Sequence, residues 1–181
     1  MKRIQMKGLR LGWILMGALF LSSCGGFSGS LMTRSANRQR NQTTEEGIFM
    51  LVNRERSRRG LQEVRFDAGL QELAARHARV LASSIDPTRG KPSHREAHQG
   101  FDARSRRARA LGYLVLAEVV MIGYAGDLNA VPERSLRGWL GSPGHRSAIL
   151  HKDRRLMGVA SRILPDGRYF VVGLLSNRRI R

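Results

Sequence analysis

Apolar residues recur at helical spacing early in the periodic part of the chain. Ile48, Leu51 and Val52 fall at positions i, i+3 and i+4, and Thr44 before them is a good helix cap. A first helix is therefore predicted from about Thr44 to Gly60, a glycine of the type that ends helices.

Three further helices are predicted from the same kind of pattern. The second begins at Phe66-Asp67 and ends near Ser84, the third covers residues 101–111, and the fourth covers residues 129–140. The apolar face of the second helix consists of Leu70, Leu73, Ala74, His77, Ala78 and Leu81.

The pattern changes in the last part of the chain. Residues 114–124 are apolar and rich in β-formers, which predicts a strand. Residues 158–164 and 168–175 flank the turn sequence Pro165-Asp166-Gly167, so they are predicted to form a hairpin. Helices first, a hairpin last and one strand between them indicate a single α+β or three-layer domain.

The first 24 residues have the pattern of a secretory signal. A basic segment precedes the apolar run from Leu11 to Leu21, whose length of about eleven residues is too short to span a bilayer. The sequence Leu21-Ser22-Ser23-Cys24 resembles the cleavage site of bacterial lipoproteins. This resemblance implies that residues 1–23 are removed and that Cys24 carries the acyl chains of a membrane anchor. The alternative is an ordinary signal with an incidental cysteine.

The segment after Cys24 shows no period. Residues 24–42 are polar and contain glycine and serine, so a flexible tether is predicted there, with the folded domain at residues 43–178. Gly25 follows the cysteine, which would permit delivery to the outer membrane in an organism that has one. The expected location is the cell envelope, outside the cytoplasm.

Composition narrows the classes of partner. The 181 residues are 41% hydrophobic, which suits a globular protein, and the formal net charge is +18. Such a charge favours anionic envelope polymers or lipids, although codon composition also enriches arginine. Nucleic acid is not expected, because the chain is exported and the arginines, expected to lie on solvated faces, lack interleaved aromatics. Cys24 is the only cysteine, so an internal disulfide and a cysteine-ligated metal cluster are excluded.

Several residues are candidates for chemistry. Glu118 lies inside an apolar stretch, where a buried carboxylate needs a partner. His145 follows Ser-Pro-Gly and would either face a cleft or only begin a helix. His94 and His98 lie four residues apart in one polar segment, and from the residues alone either could be the site residue. The remaining candidates are expected to be structural: His77, Tyr113 and Trp139 in the core, and His151 on the surface.

Segments in a fixed order resemble one family, the bacterial CAP domains, which are relatives of cysteine-rich secretory proteins, antigen 5 and plant pathogenesis-related proteins. The match covers about residues 45–176. The segments are residues 50–56 (MLVNRER), 74–78 (AARHA), 93–94 (SH), 107–113 (RARALGY), 117–118 (AE) and 138–150 (GWLGSPGHRSAIL).

The resemblance implies an α-β-α sandwich in which His94, Glu118 and His145 converge in one cleft. His94 and His145 would be metal ligands, and two imidazoles with a carboxylate suit zinc. Glu118 and His145 would also be the candidate catalytic residues, as a general base pair. Two departures lower the expected metal affinity: Ser142 stands where many members have a second glutamate, and Val119 where the family has asparagine.

The function expected from these features is an envelope-anchored module that binds a ligand or partner in its cleft. The alternative is a metal-dependent, protease-like hydrolase that uses the same cleft. The chain contains no Gly-x-Ser-x-Gly nucleophile motif and no phosphate-binding loop.

Overall fold

The structure is a computed structural model that describes residues 26–90 and 92–180. The helices are α1 (Gly26–Arg58), α2 (Ala68–Ser84), α3 (His94–Ala97), α4 (Phe101–Ala110), α5 (Val131–Gly141) and α6 (Pro143–Leu150). The strands are β1 (Arg65–Phe66), β2 (Tyr113–Leu114), β3 (Ala117–Tyr124), β4 (Leu156–Ile163), β5 (Arg168–Ser176) and β6 (Arg178–Arg179).

The main sheet has four strands in the order β1-β4-β5-β3. β1 runs parallel to β4, whereas β3 and β4 both pair antiparallel with β5. The predicted hairpin is confirmed as β4 and β5. Its turn depends on Gly167, which has φ +92 and whose backbone N–H donates to the carbonyl of Leu164 at 3.1 Å.

Helices cover both faces of this sheet. Neighbouring residues of β3 point to opposite faces, as strand geometry requires. Val119 packs in a core that includes residues of α1, α5 and α6, and Val120 packs in a second core that includes residues of α2 and α4. The predicted α-β-α sandwich is therefore confirmed. Trp139 and Tyr113 are buried in these cores, as expected.

The segment expected to be a flexible tether differs in the structure. From Gly26 onward it forms the first half of α1, which continues without a break to Arg58. Within this segment, the side chain of Asn41 accepts a hydrogen bond from Ile163 N at 3.1 Å, and its backbone carbonyl accepts one from the Ser161 hydroxyl at 3.3 Å. The apolar pattern gave no sign of this helix because its contacts with the sheet are polar.

Residues 1–25, which include the signal segment and Cys24, lie outside the described residues. Between residues 26 and 180, no described helix combines the length and apolar character needed to cross a membrane.

Not all arginines are solvated as expected. Arg56 is fully buried, and its guanidinium donates to backbone carbonyls of residues 149, 151 and 154, which joins the end of α1 to the segment after α6. Arg154 is also buried and donates to the carbonyl of Val115 and the side chain of Asn177. These two arginines are buried because a long cation satisfies several carbonyls at once, including those at a helix C-terminus.

Candidate functional site

Three histidines meet beside β3, the strand at one end of the sheet order. His94 begins the one-turn helix α3 and His98 directly follows it, and His145 lies in the first turn of α6. Because β3 has a neighbouring strand on one side only, α3 and α6 can approach its other side. The cleft therefore forms at an edge of the sheet.

Local sequence fixes the two ends of α3. Ser93 accepts a hydrogen bond from the backbone N–H of Glu96, and the Glu96 side chain accepts one from the backbone of Ser93. This reciprocal capping box satisfies the free N–H groups at the start of the helix. It sets His94 at the first helical position and His98 directly after the last.

The imidazole rings of His94, His98 and His145 form a compact cluster. His98 Nε2 and His145 Nε2 are 3.1 Å apart. The rings of His94 and His98 have centroids 4.4 Å apart, and one nitrogen from each of the three rings lies within 4.8 Å of the others. His94 is exposed, and the other two are half-buried.

Glu118 lies behind this cluster, with its side chain fully buried. Arg104 donates to both carboxylate oxygens, each at 2.7 Å, and His98 Nδ1 lies 2.9 Å from Oε1. Burial tends to raise the pKa of Glu118, but the hydrogen bonds from His98 and Arg104 outweigh it, so the pKa is lowered. Glu118 is therefore an ionised, fully partnered carboxylate.

His77 completes the surroundings of Glu118. It is buried as expected, with Nε2 2.9 Å from the carbonyl of Ala97 and 3.9 Å from a Glu118 oxygen. Burial lowers the pKa of His77. The contact between His77 and the Ala97 carbonyl joins α2 to the end of α3, so His77 helps to fix the position of His98, the next residue.

The hydrogen bonds assign the proton positions in the cluster. His98 Nδ1 faces the Glu118 carboxylate, so this nitrogen carries the proton and Nε2 keeps its lone pair. His145 Nε2 then donates to His98 Nε2 across the 3.1 Å contact. Burial, together with the nearby His98 and His94, lowers the pKa of His145 to about 4, so its ring is neutral at pH 7.

This donor set fits a divalent transition metal. Neutral imidazole nitrogens are good zinc ligands at about 2.0–2.1 Å, and tetrahedral geometry then separates two of them by roughly 3.3 Å. The nitrogens of His98 and His145 are already 3.1 Å apart. His145 would transfer its proton to Nδ1, and the exposed His94 would turn inward to supply the third nitrogen.

A cavity of about 540 Å³ adjoins the cluster. Its lining includes His94, His98 and His145, and its other walls are mostly apolar or aromatic, with residues from β3 and with Trp139. Ser142 also lines it, at the position where many members of the family have a glutamate. A small ligand could therefore lie next to the three imidazoles.

The sequence-predicted site residues are only partly arranged as expected. His94 and His145 do lie together, but Glu118 contacts His98 rather than either of them. The structure thus places both His94 and His98 in the cluster instead of choosing one. Val119, at the position of the family's asparagine, points to the opposite face and is buried in the core.

Arg104 is the functional residue that the sequence analysis missed. Its side chain was expected to be solvated but is only 15% exposed. A weak signal was present, because Arg104 lies four residues before Ala108, the buried residue of α4. It also donates to the carbonyl of Gln99 at 2.8 Å, which fixes the segment after α3.

The chain is similar to several solved structures. An extracellular protein containing an SCP domain from Bacillus anthracis is 21% identical with a TM-score of 0.58; the match covers 78% of this chain and 43% of that one. An outer surface protein of Borrelia burgdorferi is 18% identical with a TM-score of 0.55, over 76% of this chain and 94% of that one. A cysteine-rich secretory protein of Staphylococcus aureus is 18% identical with a TM-score of 0.54, over 76% and 39%.

The chain thus spans about two fifths of the Bacillus and Staphylococcus proteins and nearly all of the Borrelia protein. At these identities the likeness shows the fold. Among curated proteins no significant match was found. The sequence matches the family described as "CAP: Cysteine-rich secretory protein family" over residues 49–175, and the chain belongs to this family.

Proposed function

We propose that this CAP domain is a lipid-anchored module of the cell envelope that binds a divalent metal of the zinc type through His94, His98 and His145. Glu118 is not a ligand in this proposal; it orients His98. The metal's remaining position and the adjoining cavity receive a small ligand or the side chain of a partner.

The observation that carries the metal proposal is the 3.1 Å contact between the Nε2 atoms of His98 and His145, with His94 beside them. Glu118 accepts the Nδ1 proton of His98, as carboxylates do behind many metal-bound histidines, where they fix the ring and raise its basicity. Arg104 and His77 hold Glu118 in that role.

Binding is favoured over hydrolysis by the state of the carboxylate. A general base must be able to accept a proton from water, but both oxygens of Glu118 already accept hydrogen bonds from Arg104, and one contacts His98. The metal-dependent hydrolase is the alternative, favoured by the open cavity beside the cluster. Cleavage of a broad peptide library that requires zinc and is lost in His145→Ala would establish that alternative.

Location in the envelope is supported by the basic and apolar segments that precede Cys24 and by the relatives described as outer surface and extracellular proteins. The Cys24→Ser variant is expected to lose metabolic labelling with palmitate. Equal palmitate labelling of the wild type and the Cys24→Ser variant would contradict a lipid anchor at Cys24.

Zinc titration of the full chain tests the metal site. One zinc ion per chain is expected, and His145→Ala should weaken binding by at least about tenfold, because it removes a ligand. His151→Ala is the matched control, since His151 is exposed and lies outside the cluster. Equal zinc affinity in both variants, or no binding by the wild type, would overturn the proposal.

A further inference from the structure

A second groove lies far from β3, along the outer edge of β4. β1 pairs only with the first two residues of β4, Leu156 and Met157. Beyond them, the first half of α1 and the helix α2 leave a groove of about 1020 Å³. No histidine lines it, so it is separate from the proposed metal site.

The rim of this groove is strongly basic. Arg34 and Arg38 come from α1, Arg79 from α2 and Arg162 from β4, and all four are exposed. Among the side chains that the structure describes, those of residues 34–90 and 92–180, none offers these four guanidinium groups a carboxylate within ion-pair distance or a hydrogen-bond acceptor. Their five donors each remain available to a ligand.

The acidic residues of the groove do not neutralise this rim directly. Glu45 already accepts hydrogen bonds from Ser161 N and from Gln71 Nε2. Glu46 accepts one from Gln42 at 2.9 Å. The carboxylates are thus engaged with neutral donors rather than with the four arginines of the rim.

An aromatic pair adds an apolar lip. The rings of Phe49 and Phe66 pack edge to face with centroids 6.2 Å apart, and Phe66 is 52% exposed. Arginines beside an exposed aromatic ring suit a ligand that is anionic at one end and apolar at the other. Exposed phenylalanine next to basic residues is typical of surfaces that contact the headgroup region of a bilayer.

We propose that the groove rimmed by Arg34, Arg38, Arg79 and Arg162 binds the phosphate of an anionic phospholipid headgroup. Guanidinium groups pair with phosphate oxygens through two parallel hydrogen bonds. The choice of a membrane lipid over free phosphate rests on the anchor at Cys24 in the proposed function. Arg34 lies eight residues beyond Gly26 on α1, about 12 Å along the helix, so an anchored chain would hold this rim close to the headgroups.

Vesicle binding tests this inference without the anchor. The full chain carrying Cys24→Ser is co-sedimented with vesicles of pure phosphatidylcholine and with vesicles containing phosphatidylglycerol. The ratio of the two affinities removes the contribution of the apolar run at residues 11–21, and the basic residues before it are the same in every variant compared. We expect a preference of at least about tenfold for phosphatidylglycerol, since each basic residue near an anionic surface adds to binding.

Two double variants with equal net charge distinguish a specific site in the groove from non-specific electrostatic attraction between a basic protein and an anionic membrane. R38Q/R79Q should lose most of the preference, whereas R106Q/R109Q, on exposed positions of α4, should keep it within about threefold. Equal losses in the two variants would overturn the proposal. Competition by inorganic phosphate beyond that of sodium chloride at the same ionic strength would also overturn it, because free phosphate would then be the ligand. Zinc binding should be unchanged in R38Q/R79Q, so failure here is distinct from failure of the metal site.

Discussion

The carboxylate of Glu118 has its chemistry set by its neighbours. It is a buried member of a chain of contacts that runs from Arg104 through Glu118 and His98 to His145. A buried carboxylate without partners would be protonated or would destabilise the fold. Here the hydrogen bonds from His98 and Arg104 keep it charged, and the charge in turn fixes which nitrogen of His98 faces the cleft.

Glu118→Gln should weaken zinc binding about 10- to 100-fold while the three histidines remain. The amide keeps the shape of the side chain but no longer attracts the Nδ1 proton of His98, so Nε2 becomes a poorer ligand. Zinc titration measures the effect, with circular dichroism as a check on folding. Unchanged affinity would show that the carboxylate does not act through His98.

At this scale the sequence allowed a partial prediction. The resemblance to CAP domains identified His94, Glu118 and His145, because each lies in a recognisable segment. The need for a partner at Glu118 followed from its apolar surroundings. The roles of His98 and Arg104 did not follow, because they depend on how α3 and α4 meet β3, and residue spacing within one element does not show that.

Among the contacts between elements, the packing of α2 against β4 leaves the least room for a side chain. At Gly158 a side-chain Cβ would lie 2.0 Å from Gln71 N and 2.4 Å from Leu70 C, both backbone atoms of α2. Backbone atoms cannot move aside as a flexible side chain does. The absence of a Cβ at this position therefore lets the helix pack directly on the strand.

Gly158→Ala should destabilise the domain by more than about 3 kcal/mol, because the helix must move off the sheet. Gly141→Ala is the control: nothing lies within 4 Å of its added Cβ. That variant should be neutral or slightly stabilising. Urea denaturation compares them, and similar midpoints for the two variants would contradict the packing described.

The edge of β4 is protected by polar side chains of α1. Glu45 receives the backbone N–H of Ser161 and also contacts the Ser161 hydroxyl at 3.2 Å. Asn41 receives the N–H of Ile163. Free N–H groups on a sheet edge invite pairing with another chain, so these helix side chains also protect against aggregation.

Glu45→Ala should cost about 1–3 kcal/mol, since it leaves the Ser161 N–H without its acceptor. Glu46→Ala is the matched control, because Glu46 is exposed and, among the residues that the structure describes, its side chain bonds only to Gln42. Its effect should stay within about 0.5 kcal/mol. Thermal denaturation compares the stability of the two variants. If Glu45→Ala is as stable as the wild type, the hydrogen bonds from α1 do not stabilise the edge of β4.

The elements themselves were largely predictable, with one exception. The second helix and the final hairpin follow from apolar period and turn residues, and both are confirmed. The first half of α1 was expected to be a tether because its residues show no apolar period. The contacts of this segment with β4 are hydrogen bonds made by Asn41, which a hydrophobic pattern cannot reveal.

For the whole molecule, two neutral histidines beside the buried carboxylate make stability depend on pH. The pKa of His145 is lowered to about 4 and that of His77 is also lowered, both mainly by burial. In the unfolded chain both would titrate near about 6.5. Between these values the unfolded chain binds more protons than the folded one, so stability must fall as the pH falls.

Without metal, the free energy of unfolding should therefore decrease as the pH is lowered from 7 to 5. The slope contributed by each histidine is at most about 1.4 kcal/mol per pH unit. Chemical denaturation in the presence of a chelator measures it, and His145→Gln should make the dependence shallower. A stability that stays constant or rises towards pH 5 would contradict the buried, neutral state of these rings.

X-ray absorption at the zinc edge of the zinc-loaded full chain tests the three-histidine site, because it counts imidazole ligands and measures their distances. We expect three imidazole nitrogens at about 2.0–2.1 Å, completed by an oxygen from water or a ligand. The count should fall to two in His98→Ala and stay at three in Glu118→Gln. Two imidazoles with an oxygen ligand that disappears in Glu118→Gln would contradict it, because Glu118 would then bind the metal itself.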